Sequence, residues 1–157
     1  MIVHEARHTV PFHDCDMMEI VWHGNHYRYF EIARSALMRS LFMDFPDMKE
    51  LGIAMPIVRT EADYRAPLVY GQRVVIVARI AEPFSPALQI AYEIRDESGI
   101  KVLARGVTKQ VYVEHATQEL LYALPLVLEE RLRAGVERSL AFMASVEADT
   151  PGAGTSR

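Results

Sequence analysis

HTVPFHDCDMMEIVWHGNHYRYFEIARSALMRSLFM, residues 8–43, changes its hydrophobic period halfway along, and that change decides the architecture. Up to Phe12 it continues an alternation begun at Ile2. Ile2, His4, Ala6, His8, Val10 and Phe12 fall on one side, and Val3, Glu5, Arg7, Thr9 and Pro11 on the other. A period of two predicts a strand with one buried face. Pro11 has no N–H to give a ladder, so the strand ends, bulges or lies at an edge there. From Asn25 the apolar residues recur at three and four: Tyr27, Phe30, Ala33, Leu37 and Leu41, broadened by Ala36, Met38 and Phe42. That spacing predicts an amphipathic helix, fading by Phe45-Pro46. Asn25 is its candidate N-cap, and Arg28 stands where an acidic residue would complete a capping box. The polar turn His13-Asp14-Cys15-Asp16 precedes it, so carboxylates, imidazoles and the positive end of a helix meet at one junction.

Beyond this stretch the chain reads mainly as strands. Residues 57–66, 73–81, 87–95 and 100–114 carry alternating or β-branched patterns, and residues 48–51 form a short helical turn. Asp96-Glu97-Ser98-Gly99 is a hairpin loop, and Gly106 is the expected bulge or bend in the long last strand. A second helix is expected over 126–147, with Pro125 at its first position and Glu129 and Glu130 in its first turn. The expected organisation is one domain over residues 1–147 with a disordered tail over 148–157. Hairpin-length connections make the later strands antiparallel, and one sheet covering one apolar helix is an α+β layer fold. Such a sheet leaves open edges, which pairing with a second copy would close.

Composition narrows the function classes. A formal net charge of -4 lacks the basic footprint of a general nucleic-acid binder. No apolar run reaches the roughly 20 residues of a membrane span. The charged, histidine-bearing first residues do not read as an export signal. One cysteine, Cys15, makes no internal disulfide and fits a reducing cytoplasm. His23 and His26 lack the further ligands of a metal site, and no cofactor is expected.

FHDCDMMEIVWHGNHYRYFE, residues 12–31, together with the order of elements, resembles the hotdog-fold acyl-CoA thioesterases, above all the 4-hydroxybenzoyl-CoA thioesterase type. The likeness rests on Asp14-Cys15-Asp16, Ile20-Val21, Trp22, His23-Gly24-Asn25 and the helix carrying Tyr29-Phe30-Glu31. It implies an antiparallel sheet wrapped around one long central helix, a homodimer or homotetramer, and an acyl-CoA or acyl-carrier-protein substrate. Asp16 matches the family's catalytic aspartate, acting as nucleophile or as general base on water. His23, Gly24 and Asn25 supply backbone N–H groups at the helix start, and His23 an imidazole. One departure concerns Met17-Met18-Glu19, where relatives usually carry small residues, often glycine.

On residues alone, Asp16 reads first as a turn aspartate, the commoner fate of a loop carboxylate, and only with the resemblance as catalytic. Asp14 reads as structural, bonding backbone amides in the turn. Glu31 is the reserve catalytic carboxylate, or else a partner of Arg28, Arg34 or Ser35. Arg59, Arg65, Lys101, Arg105 and Lys109 are candidate contacts for CoA phosphates, and the last three share one strand face if no bulge intervenes. Tyr27, Phe30, Tyr64 and Trp22 are core residues or the lining of an acyl tunnel. Two rival readings are a hotdog 3-hydroxyacyl dehydratase pairing His23 with Glu31, and a non-catalytic acyl-CoA-binding module.

Overall fold

Strand β1 (Ile2–Thr9) keeps the alternation, with its even-numbered residues turned inward as far as Val10. The computed structural model describes residues 1–148, with side chains as far as Ala141. Phe12 departs from the expected buried face: it opens a 3-10 turn, Phe12–Asp14, and is 76% exposed. Beyond Pro11 no ladder exists to enforce period two.

A second 3-10 turn, His23–Asn25, leads into helix α1 (His26–Ser40), which buries His26, Tyr29, Phe30, Ala33, Leu37 and Met38. Asn25 does not cap α1 through its side chain. Its backbone is already helical, and its amide nitrogen donates instead to the Asp14 carbonyl at 2.9 Å. Helix α2 (Phe45–Glu50) begins earlier than the turn expected at 48–51. The Asp44 carboxylate accepts from the Phe45 N–H at 2.9 Å and the Asp47 carboxylate from the Asp44 N–H at 3.1 Å, while Pro46 is tolerated in the first turn.

Strands β2 (Ile53–Ala54), β3 (Ile57–Tyr64), β4 (Arg73–Ile80), β5 (Ala87–Asp96), β6 (Val102–Val111) and β7 (Val113–Glu114) follow. Five form an antiparallel sheet in the order β1-β4-β5-β6-β3, and β2 pairs with β7. The edges of the large sheet are therefore β1 and β3. Helix α1 packs on β1, β4 and β5. It reaches β3 only at its end, where His26 meets Tyr64, and every β3 residue except Ala62 is exposed.

Gly106 is not a bulge. It runs through β6 in register with both Ala62 and Tyr92, directly beneath the Phe30 ring. A Cβ there would stand 2.3 Å from Phe30 Cε2, and Phe30 is stacked on Tyr92 with centroids 5.0 Å apart. The irregularity falls instead at Leu103, skipped where β5 pairs with β6, whose carbonyl accepts from the N–H groups of both Arg65 (2.9 Å) and Ala66 (3.0 Å).

Helix α3 (Leu126–Ala148) closes the far end of α1. Pro125 lies just ahead of it, and its carbonyl accepts from Leu128 and Glu129. Leu128 and Leu132 are fully buried, and Gly135 lies against Leu41 and Ile2. Arg131 donates to the Phe42 carbonyl, and Arg138 donates to the Ser40 carbonyl at 2.8 Å. Acceptors left open at the α1 C-terminus thus gain donors from α3. Leu128, Leu132, Val136, Leu140 and Met143 recur near helical spacing and are expected to share one buried face, but Leu140 is exposed. The side chain of Met143 and the expected tail, Ala148 apart, lie outside the described residues.

The tight Phe30–Gly106 approach gives a direct check. Gly106→Ala forces Phe30 against a fully packed neighbour and should lower unfolding stability by about 1–3 kcal/mol in urea titrations. A stability equal to that of the parent would show that Phe30 has room to move.

Candidate functional site

Residues 14–22 form a tight hairpin that delivers the chain into α1. The Trp22 N–H donates to the Asp14 carbonyl (3.0 Å), Cys15 bridges Val21, and the Asp16 N–H donates to the Ile20 carbonyl (2.8 Å). At the tip, the Glu19 N–H donates back to the Asp16 carbonyl at 3.0 Å, and Glu19 takes a left-handed φ of 63°. This is the place where the sequence departs from small residues. The backbone keeps a conformation suited to glycine, with glutamate in it. Met17 and Met18 project into solvent.

Asp16 is half-buried, and its Oδ1 accepts from the Met18 N–H at 2.8 Å. That Asx-type turn fixes the carboxylate through one oxygen. Among the described residues no hydrogen-bond donor is recorded on Oδ2.

Asp14 does something else. It is buried, and its side chain bonds no backbone amide, contrary to expectation. Arg28 Nη1 donates to Oδ1 at 2.7 Å and the Tyr29 hydroxyl donates to Oδ2 at 2.9 Å. This accounts for a cation in the first turn of α1, where the helix dipole disfavours it. Burial, and after it the hydrogen bond to Asp14, pushes the Tyr29 hydroxyl pKa well up. The His8 ring packs 4.6 Å from Tyr29, and its Nε2 is buried with no hydrogen-bond partner.

At the helix start, the N–H groups of His23 and Gly24 take no backbone acceptor among the described residues. The Asn25 N–H is already used on the Trp22 carbonyl at 2.8 Å. Two of the three expected amides are therefore free, and Asn25 is not one of them. A Cβ on Gly24 would stand 2.2 Å from the exposed Trp22 ring, so any larger residue there must turn that ring aside. The His23 imidazole is exposed beside Trp22, with centroids 4.9 Å apart, and makes no hydrogen bond to Asp16 among the described residues.

The sequence reading missed His26 as part of this end of the helix. It is buried, its Nδ1 lies 3.2 Å from the His23 carbonyl, and its ring meets Tyr64 edge-on at 4.8 Å. The Tyr64 hydroxyl donates to the same carbonyl at 3.1 Å, tying the end of β3 to the helix start. The signal was present, because 26, 30, 33 and 37 form one helical stripe.

Glu31 lies apart from the hairpin on an exposed helix strip, accepting from Arg34 Nη1 (3.0 Å) and Ser35 Oγ (3.1 Å). The candidate cations do not form one patch. Arg105 and Lys109 share the exposed face of β6, and Arg59 is paired in register with Lys109. Arg59 contacts Glu61 at 2.5 Å and Arg105 contacts Glu93 at 3.2 Å. Lys101 precedes β6, its N–H held by the Asp96 carboxylate at 3.1 Å, and the irregularity at Leu103 breaks the every-fourth spacing. Arg65 follows β3 directly.

An antiparallel sheet carrying one long helix, with a carboxylate hairpin at the helix start, is an α+β protein of the hotdog fold. The family model of the thioesterase-like superfamily matches residues 10–142, and the chain belongs to that superfamily. It is 28% identical over 120 residues to a putative esterase of Synechocystis sp., spanning 76% of this chain and 72% of that one. It is 33% identical over 76 residues to a putative acyl-CoA thioesterase of Bacillus subtilis, spanning 48% and 55%. A DHNA-CoA thioesterase structure from Staphylococcus aureus superposes with a TM-score of 0.76 at 21% identity, covering 92% of this chain and 95% of that one. Among the described residues no helix is long and apolar enough to cross a membrane.

Burial lowers the pKa of both His8 and His26 from the ordinary 6.5. As pH falls through that value the unfolded chain takes up protons that the folded chain refuses. The stability from neutral imidazoles is therefore full above it and lost below it. Thermal midpoints should fall between about pH 7.5 and about pH 5.5, less steeply in His26→Gln. Parallel curves for parent and variant would remove His26 from this account.

Proposed function

We propose that this chain hydrolyses acyl thioesters of coenzyme A or of an acyl carrier protein, in the manner of the 4-hydroxybenzoyl-CoA thioesterase type. The observation carrying this reading is Asp16, with one carboxylate oxygen fixed by the Met18 amide and, among the described residues, no donor on the other, on the hairpin that ends at the His23 and Gly24 amides, which are free among those residues. Thioester cleavage needs an attacking oxygen and donors for the charge that develops on the carbonyl oxygen. Amides at the positive end of a helix are such donors, already oriented.

In one route Asp16 Oδ2 attacks the carbonyl carbon, the thiolate leaves, and water opens the resulting anhydride to give the free acid and restore the carboxylate. In the other, Asp16 takes a proton from water as it attacks, and the thiol departs with a proton. The exposed His23 imidazole stands at the same helix start, where it serves to orient water or protonate the departing thiolate. Glu31 is engaged by Arg34 and Ser35, which speaks against a dehydratase pairing of His23 with Glu31. Tyr27 on α1 and Tyr64 at the end of β3 are the candidate acyl lining.

Asp16→Asn should lower thiol release from the best substrate of an acyl-CoA and acyl-carrier-protein panel by about 10²- to 10⁴-fold. Near-native turnover in that variant would sink the assignment. Tight binding without turnover in the parent would favour a binding module.

The same reading includes a homodimer or homotetramer. Strand β3 is an unpaired edge with Ile57 and Val58 exposed, the kind of edge that a second copy covers. Sedimentation should give an oligomer for the parent and a shift toward monomer for Val58→Lys; a monomeric parent would refute it.

A further inference from the structure

Asp14 is the one buried carboxylate among the described residues, at 2% exposure, and the chemistry above does not use it. Burying a charge is costly unless partners compensate. A turn aspartate needs no such burial, as Asp16 shows two residues later by bonding only the Met18 amide.

Four donors from four residues converge on Asp14. The carboxylate takes Arg28 Nη1 (2.7 Å) and the Tyr29 hydroxyl (2.9 Å), both from the first turn of α1. The backbone carbonyl takes the Trp22 N–H (3.0 Å) and the Asn25 side-chain amide (2.9 Å), where the chain enters the helix. The carboxylate thus fixes residue 14 to the helix, and its carbonyl fixes the returning arm of the hairpin to residue 14. Asp16 lies two residues from this clamp on one arm. His23 lies one residue beyond Trp22 on the other.

We propose that Asp14 is a positioning residue, setting the hairpin that carries Asp16 against the His23 and Gly24 amides. The catalytic half of this inference rests on the thioesterase reading, and the structural half does not. The Arg28 guanidinium is largely exposed, so a surface ion pair alone would hold little. The clamp depends on both carboxylate oxygens being satisfied inside the fold.

Asp14→Ala strands Arg28 and Tyr29 without their acceptor. Asp14→Asn still accepts from Arg28 and turns its own N–H2 toward the Tyr29 hydroxyl, which then accepts, so it serves as the conservative rescue. Two measurements separate the halves. In amide hydrogen exchange, Asp14→Ala should speed exchange at Met18 and Trp22 by about tenfold or more relative to amides of β5. In steady-state kinetics it should lower kcat by about 10- to 100-fold with KM within about twofold of the parent. Asp14→Asn should recover most of both effects.

Unchanged exchange at both amides overturns the clamp. Faster exchange with undiminished kcat overturns the positioning role. A parent that releases no thiol from any substrate removes the thioesterase reading, and exchange alone then decides the clamp. If Asp14→Ala does not fold, Tyr29→Phe and Arg28→Leu each remove one donor and are read in the same two ways.

Discussion

The seat of α1 on the sheet is set by one contact: Phe30 lies over a strand position with no side chain and stacks on Tyr92. A larger residue at 106 would lift the helix, and with it the helix start. Beside this contact runs a hydrogen-bonded line from Tyr92 through Thr108 (2.9 Å) and Gln110 (3.0 Å) to Arg34 (3.0 Å), ending at Glu31. Gln110 and Thr108 are buried, so the inner bonds of this line form where water does not compete, and they resist rotation of the helix about its axis. Packing sets the height of α1, and polar pairing sets its turn.

The two ends of this helix are treated oppositely. At the C-terminus, Arg131 and Arg138 of α3 bring donors to the carbonyls of Phe42 and Ser40. At the N-terminus, His23 and Gly24 keep amides that are free among the described residues, while Asn25 satisfies its own and gives its side chain to Asp14. A folded chain ordinarily satisfies such groups, so amides left free beside a carboxylate hairpin mark the end at which chemistry is to be sought. The C-terminal helix, which had no role in the sequence reading, therefore supports the end of α1 that faces away from the site.

Much of this was legible from local pattern. The period-two run before Pro11, the stripe from Tyr27 to Leu41 and the antiparallel later strands all follow from short-range rules. Features with distant causes were not. The order β1-β4-β5-β6-β3 joins strands far apart in sequence, and Gly106 answers to Phe30, a residue of another element. Asp14 finds partners 14 and 15 positions on, across a hairpin, where no spacing rule applies. Asn25 failed as a cap because the preceding 3-10 turn already sets its backbone helical, and its side-chain N–H2 is held by the Asp14 carbonyl. At the candidate site, motif likeness pointed to Asp16 and His23, but the spent Asn25 amide and the His23 carbonyl shared by His26 and Tyr64 arise only from the three-dimensional arrangement.

Glu19 gives the hairpin a particular mechanical character. Its left-handed backbone carries a steric penalty of roughly 1–2 kcal/mol for a residue with a Cβ. A glycine would enter that shape freely and would also leave it freely, wandering among many conformers. Glutamate has fewer alternatives open to it when the chain is loose, so less entropy is surrendered when the turn closes. The neighbouring carboxylate of Asp16 consequently sits on a stiff, slightly strained spring where a glycine tip would give a slack one. Such a tip holds the hairpin to one backbone shape where a glycine would allow several.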